Sequence, residues 1–180
     1  MILTIAVLGT TNSGKTTLIE YLISNLSKEG LRIGTIKHIH AAGFSIDAKG
    51  KDTWRHAKAG ARIVVGAAPK ELVVIRKKET SESDLKGIIE LVKDEKLDLL
   101  IIEGFHSVVG QRKDIFKIVT AKSGEELKRT LEGTVGPILA ITGPFAKLKV
   151  TPPRVTAPII DIKTEGKKIL DIVKKALAKD

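Results

Sequence analysis

Eight consecutive residues, Gly9-Thr10-Thr11-Asn12-Ser13-Gly14-Lys15-Thr16, have the types and the spacing that a chain of phosphates requires. In the pattern G-x-x-x-x-G-K-T the glycines turn the backbone sharply, so that N–H groups converge on phosphate oxygens. Lys15 adds a cation for the β- and γ-phosphates, and the Thr16 hydroxyl is placed to ligate Mg²⁺. The chemistry so specified is the binding of a nucleoside triphosphate. A β-rich run over residues 2–8 precedes the loop and a helical pattern over 15–28 follows it. Strand, loop and helix in that order put a helix N-terminus, with its dipole, at the anion.

A second feature is Leu97-Asp98-Leu99-Leu100-Ile101-Ile102-Glu103-Gly104-Phe105-His106, a run of the buried-strand type that ends in one carboxylate and a glycine. In a phosphate-loop fold such a strand lies beside the one feeding the loop. Glu103 is therefore expected to face Mg²⁺ or a water near the γ-phosphate. A third is the long polar stretch 36–53, which holds His38 and His40, three lysines, Asp47 and Asp52. Long loops of this kind are frequently functional. Asp47 is a candidate ligand for Mg²⁺ or water, and Asp52 a second acid or a helix cap. His38 and His40, two positions apart, admit a transition-metal role or ordinary strand-end contacts, and no third ligand is evident.

The elements that must position these groups follow from hydrophobic periodicity. Short apolar runs alternate with helical patterns, which predicts an α/β domain with a mainly parallel sheet. Strands are expected over 2–8, 32–37, 97–103, 116–120, 138–142 and 158–162, and helices over 15–28, 51–59, 83–94 and 166–178. Two β runs at 62–66 and 72–76 are joined by too few residues for a crossover helix and predict a hairpin, which caps a sheet edge or projects as a contact surface. Thr151-Pro152-Pro153-Arg154 marks a rigid loop. With 180 residues, 42% of them hydrophobic, a single nucleotide-binding domain over 1–180 with the hairpin as an insertion at about 62–76 is expected.

Composition removes several classes of function. The absence of cysteine excludes disulfides, thiolate metal sites and cysteine nucleophiles. A formal charge of +10 fits an anionic ligand, a solvated lysine surface or nucleic acid. Nucleic acid ranks last, because one tryptophan, one tyrosine and four phenylalanines form no stacking series among the basic residues. No leader-like or membrane-spanning stretch is evident, so a cytoplasmic location is expected. Plentiful lysine and glutamate, with Gln111 the sole glutamine, are the bias of proteins that work at high temperature.

Taken together, these residues resemble the molybdopterin-guanine dinucleotide biosynthesis adaptor family, MobB. The likeness rests on the loop from Gly9 to Thr17 and on Ile36-Lys37-His38-Ile39-His40. It continues through Asp47, Gly50-Lys51-Asp52, Lys58-Ala59-Gly60-Ala61 and the run ending Glu103-Gly104-Phe105. It implies a three-layer P-loop NTPase fold and a homodimer that binds GTP and Mg²⁺. It also implies weak GTPase activity in the service of the molybdenum cofactor guanylyltransferase, with molybdopterin or molybdoenzymes as further partners. Carried over, Gly9, Thr10, Thr11, Asn12, Ser13, Gly14, Lys15, Thr16 and Thr17 would hold phosphates and Thr16 the metal. Asp47 and Glu103 would hold the metal or the attacking water, and the hairpin would join the dimer surface. Two departures stand out: Ala41 where relatives often have a further histidine, and His106 where a lysine is common.

The Asn-Lys-x-Asp guanine signature is absent, since Asn12 and Asn25 are the only asparagines. The guanine preference is thus implied by the resemblance alone, and Ile141-Thr142-Gly143-Pro144-Phe145 is the candidate base-edge contact. Two other readings use the same residues. A small-molecule kinase would hold ATP and orient an acceptor hydroxyl with Asp47 or Glu103, with Arg112 and Lys113 as its nearest equivalent of a lid. A metallochaperone GTPase would recruit His38, His40 and His106.

Overall fold

The computed structural model describes residues 2–148 and 156–178. Among these the strands are β1 (Leu3–Leu8), β2 (Ile33–Lys37), β3 (Ile63–Ala68), β4 (Glu71–Arg76), β5 (Leu99–Glu103), β6 (Phe116–Thr120) and β7 (Ile138–Thr142). The α-helices are α1 (Lys15–Lys28), α2 (Asp52–Lys58), α3 (Leu85–Glu90), α4 (His106–Val109), α5 (Gly124–Glu132) and α6 (Ile162–Leu177). The chain divides into two compact units, one made of Met1–His38 with Glu82–Asp180 and the other of Ile39–Ser81. The second unit thus takes in far more than the hairpin.

In the first unit five strands form a parallel sheet in the order β2-β5-β1-β6-β7. Strand alternation sorts the core into layers. Leu3, Ile5, Val7, Leu99 and Ile101 pack with Leu18, Leu22 and Leu26 of α1 and Ile169 and Val173 of α6. Ala6, Leu8, Leu100 and Ile102 point the other way and pack with Leu85 of α3 and Val109 of α4. Both faces of β1 and β5 are covered, which is why their sequences read as unbroken apolar runs. This is the expected α/β/α arrangement, and it sets β5, with Glu103 at its end, directly beside β1.

Several element boundaries differ from expectation. The strand expected over 158–162 is reduced to one bridge, Ile141 to Ile159. Asp161 instead starts α6, its carboxylate accepting from the Lys163 N–H at 3.0 Å. The helix expected over 83–94 breaks into a 3₁₀ turn at Glu82–Asp84, the short α3, and a second 3₁₀ turn at Lys93–Glu95. Leu85 of α3 is buried and Ile88, Ile89 and Val92 pack partly buried against the same core, while Gly87 within the segment disfavours a longer regular helix. α4 and α5 lie where no helix was expected. α5 carries its own start signal, Ser123-Gly124-Glu125-Glu126, with the Ser123 hydroxyl accepting from the Glu126 N–H. The expected rigid loop 151–154 lies outside the described residues.

In the second unit β3 and β4 pair with each other as a separate antiparallel sheet. The hairpin turn is tighter than expected, because pairing runs to Ala68 opposite Glu71 and leaves only Pro69 and Lys70 between the strands. α2 packs on β3, with Thr53 of the helix against Gly66, and Val64 is buried. On the alternate positions Ile63, Val65, Leu72 and Val74 are exposed, with Val65 directly opposite Val74. Among the described residues no helix is long and apolar enough to cross a membrane.

Candidate phosphate-binding site

The loop between β1 and α1 is shaped by contacts its own sequence does not contain. Gly9 has a φ of 149°, and a Cβ there would lie 2.3 Å from both the carbonyl oxygen and Oγ1 of Thr120, at the end of β6. Only glycine tolerates that approach. Ser13 is fully buried; its hydroxyl is 2.8 Å from the Thr10 carbonyl and 2.6 Å from Thr120 Oγ1. Thr120 Oγ1 is in turn 3.1 Å from the Leu8 carbonyl. Of the residues expected to hold phosphates, Ser13 therefore uses its side chain to fasten the loop to β6. Thr10, Thr11 and Asn12 are exposed along the loop, and Thr16 and Thr17 are exposed on the first turn of α1.

Lys15 is half-buried rather than a free surface cation. Its ammonium donates to the Gly9 carbonyl at 3.0 Å and the Thr10 carbonyl at 2.7 Å, so it lies folded over the loop. Burial lowers its pKa; Glu103 opposes that shift, and the neighbouring Lys37 and Lys122 add to it. A half-buried cation with two further cations nearby favours an anionic occupant.

Glu103 ends β5, in register with Val7 of β1 and Lys37 of β2. Its Oε2 is 2.9 Å from Lys37 Nζ, and its side chain is only 15% exposed. The carboxylate thus stands between two lysines, close enough to Lys15 to act on its charge. Lys122, just past β6, is anchored by Glu126, whose oxygens take the Lys122 ammonium and the Lys122 N–H, each at 3.0 Å. The Lys122 side chain is the chief cause of the lowered pKa of Glu126, and the Thr10 side chain pushes it in the same direction.

A family model described as molybdopterin guanine dinucleotide synthesis protein B, MobB, matches residues 4–137. The chain belongs to the MobB family. It is 39% identical over 118 residues to a putative molybdopterin-guanine dinucleotide biosynthesis adapter protein of Methanocaldococcus jannaschii, covering 66% of this chain and 47% of that protein. It is 34% identical over 113 residues to the adapter protein of that name from Escherichia coli, covering 62% of this chain and 61% of the other. The matches thus span about half to three fifths of these relatives. The solved structure of Bacillus subtilis MobB superposes with a TM-score of 0.75 at 26% identity, over 97% of this chain and 98% of that one.

Within this MobB-family chain, Asp47 belongs to the second unit, where its Oδ1 accepts from the Thr53 hydroxyl at 2.9 Å. Lys15, Thr16 and Glu103 belong to the first. His38 stacks on Phe105 with ring centroids 4.6 Å apart and sets Nδ1 3.4 Å from Glu82 Oε1. His106 turns to a different partner, Thr134 Oγ1 at 3.0 Å. In the candidate base-edge stretch Phe145 is buried, with its N–H given to the Ala121 carbonyl. Gly143 backs the phosphate loop so closely that a Cβ would lie 2.4 Å from the Ser13 carbonyl. The lid candidate Arg112 is paired with Asp114, Nε to Oδ1 at 3.0 Å.

Sequence reasoning missed Thr120, Lys122 and the part played by Lys37. Lys37 stood inside the quoted Ile-Lys-His run, and its place at a strand end beside Glu103 was the available signal. Lys122 precedes the capping pattern that starts α5. Thr120 offered no signal, because its partners are 107 and 112 residues away.

Proposed function

We propose that this MobB-family chain is a cytoplasmic GTP-binding adaptor of molybdenum cofactor maturation. It hydrolyses GTP slowly and assists the guanylyltransferase that joins GMP to molybdopterin. The observation that carries the nucleotide reading is Lys15, folded over the carbonyls of Gly9 and Thr10 with Lys37 and Lys122 in electrostatic range. Those carbonyls are neutral, and a triphosphate oxygen offers the ammonium a partner of opposite charge in their place. The loop N–H groups and the N-terminus of α1 receive the remaining oxygens.

Mg²⁺ is a hard cation that takes oxygen ligands, and the Thr16 hydroxyl and the Glu103 carboxylate suit it. When bound it would neutralise phosphate charge. Glu103 is held in line by Lys37 and is the acid best placed to orient a water; Asp47 remains the second candidate for that role. The adaptor reading is supported by family membership and by the names of the relatives. A homodimer is supported by the exposed apolar face of the hairpin, Ile63, Val65, Leu72 and Val74.

Side-by-side titration with GTP and ATP in the presence of Mg²⁺ tests this reading. GTP is expected to bind more tightly. Equal or tighter binding of ATP, with phosphate passed to a small acceptor, would overturn it in favour of a kinase.

A further inference from the structure

Val7, Glu103 and Lys37 stand in one row across β1, β5 and β2, near the C-terminal ends of three parallel strands. Residues in register on neighbouring strands project to the same face. Glu103 and Lys37 therefore share the face on which Val7, Leu99 and Ile101 pack with the apolar side of α1. The helix on that face begins with Lys15, where the loop from β1 closes. Strand spacing sets the Lys37 backbone about 10 Å from β1, within the combined span of a lysine side chain and a phosphate group.

Lys15, Lys37 and Lys122 are held in different ways. Lys15 lies on two neutral carbonyls, and Lys122 gives both its ammonium and its N–H to Glu126. Lys37 is held by Glu103, the acid beside the loop, and its side chain is more than half exposed. Its backbone is fixed, because the next N–H, that of His38, donates to the Glu103 carbonyl at 2.9 Å. Lys37 thus combines a fixed origin with a flexible four-carbon stem. A terminal phosphate carries more negative charge than a carboxylate and offers three acceptor oxygens, so it competes with Glu103 for the ammonium. Lys37 already acts on the charge of Lys15.

We propose that Lys37 reads the γ-phosphate: its ammonium leaves Glu103 for a γ-phosphate oxygen when a triphosphate occupies the loop, and stays on Glu103 with a diphosphate. Glu103 keeps its place through the pairing of β5 with β1 and β2. The inference rests on the triphosphate reading above and adds to it the residue that tells triphosphate from diphosphate.

The probes are the β,γ-imido analogue of GTP, which is not hydrolysed, and GDP, each titrated calorimetrically with Mg²⁺ present. Wild type is expected to favour the triphosphate. Lys37→Met should lose about tenfold in affinity for the triphosphate analogue and keep its affinity for GDP. Lys37→Arg, which retains the charge, should recover most of that loss. Lys37→Met made in the Glu103→Gln background should again cost about tenfold, whereas a lysine that served only to position Glu103 would have no further effect there. Thermal unfolding checks that each variant is folded, and Lys37→Gln replaces Lys37→Met where the latter is not. Unchanged triphosphate affinity in the folded variant overturns the proposal and leaves the nucleotide reading intact. So do equal losses for triphosphate and diphosphate, or a loss that disappears in Glu103→Gln. A wild-type protein that binds neither probe removes the nucleotide reading and this inference together.

Discussion

Ser13 Oγ and Thr120 Oγ1 lie 2.6 Å apart, both buried, although 107 residues separate them in the chain. One hydroxyl donates to the other, and the remaining proton goes to the Thr10 or the Leu8 carbonyl. The loop between β1 and α1 is thereby fastened to β6 as well as to the strand and helix that flank it. Its shape is a property of the sheet.

Thr120→Val should therefore loosen the loop while keeping the strand. The expected cost is about 1 to 2 kcal/mol of stability, with weaker triphosphate binding, because a buried hydroxyl loses a partner. Gly9→Ala should be more severe for binding, since its Cβ would overlap the Thr120 backbone. Thermal unfolding and GTP titration of both variants check this; wild-type affinity in Gly9→Ala would show that the loop is not held as described.

Lys15→Ala should lower triphosphate affinity by about 1.5 to 3 kcal/mol with the fold retained, the worth of a charge-assisted contact. The pH dependence has a definite sign. Burial lowers the Lys15 pKa below the usual 10.5, so the ammonium is lost, and affinity falls, at a pH below that value. Titration of affinity against pH in wild type and Lys15→Ala measures it, and the decline should vanish in the variant.

Glu103→Gln should reduce Mg²⁺-dependent turnover by about a hundredfold, with a smaller effect on nucleotide affinity. The amide cannot act as a base and is a weaker partner for Mg²⁺ and for Lys37. Unchanged turnover would reduce Glu103 to the structural partner of Lys37.

The Asp98 carboxyl is held down to about 2 from the usual 3.8, first by the Arg32 guanidinium and then by the Arg32 N–H. Because the folded value lies below the unfolded one, this pair's stabilisation is complete above about 3.8 and is lost as pH falls toward 2. Asp98→Asn should lower stability at neutral pH and flatten the acid dependence within that window. Urea unfolding at a series of acid pH values follows it.

Val74→Asp should produce a folded monomer from the proposed dimer, raising the dissociation constant at least about tenfold. The substitution places a charge at the centre of the exposed hairpin face, opposite Val65. Sedimentation equilibrium decides it; a wild-type protein that remains monomeric at micromolar concentration with nucleotide bound would remove the dimer.

The strand–loop–helix order around Gly9–Lys15, the parallel sheet and the place of Glu103 beside β1 were all legible in the sequence. Each depends on neighbours close in the chain or on a simple period: glycines and a lysine at set offsets, apolar runs that must be covered on both faces. The hairpin was legible for the same reason, since too few residues join its strands for anything else. The start of α6 at Ile162 and the break-up of the helix expected over 83–94 were not, because helix ends are settled by a cap such as Asp161 and by small differences in local backbone preference. Thr120 under the loop and Lys122 in electrostatic range of Lys15 come from the end of β6, and Lys37 on Glu103 from β2, so they reach their partners only once β2, β5, β1 and β6 lie side by side. Asp47 illustrates the division most sharply: the sequence identified an acid in a polar loop, and only the tertiary structure gave it Thr53 and a place in the wall of a cleft. Contacts within a few residues are dictated by local geometry, whereas contacts across a hundred residues are dictated by which strands pair, and that order is written in no single stretch of the chain.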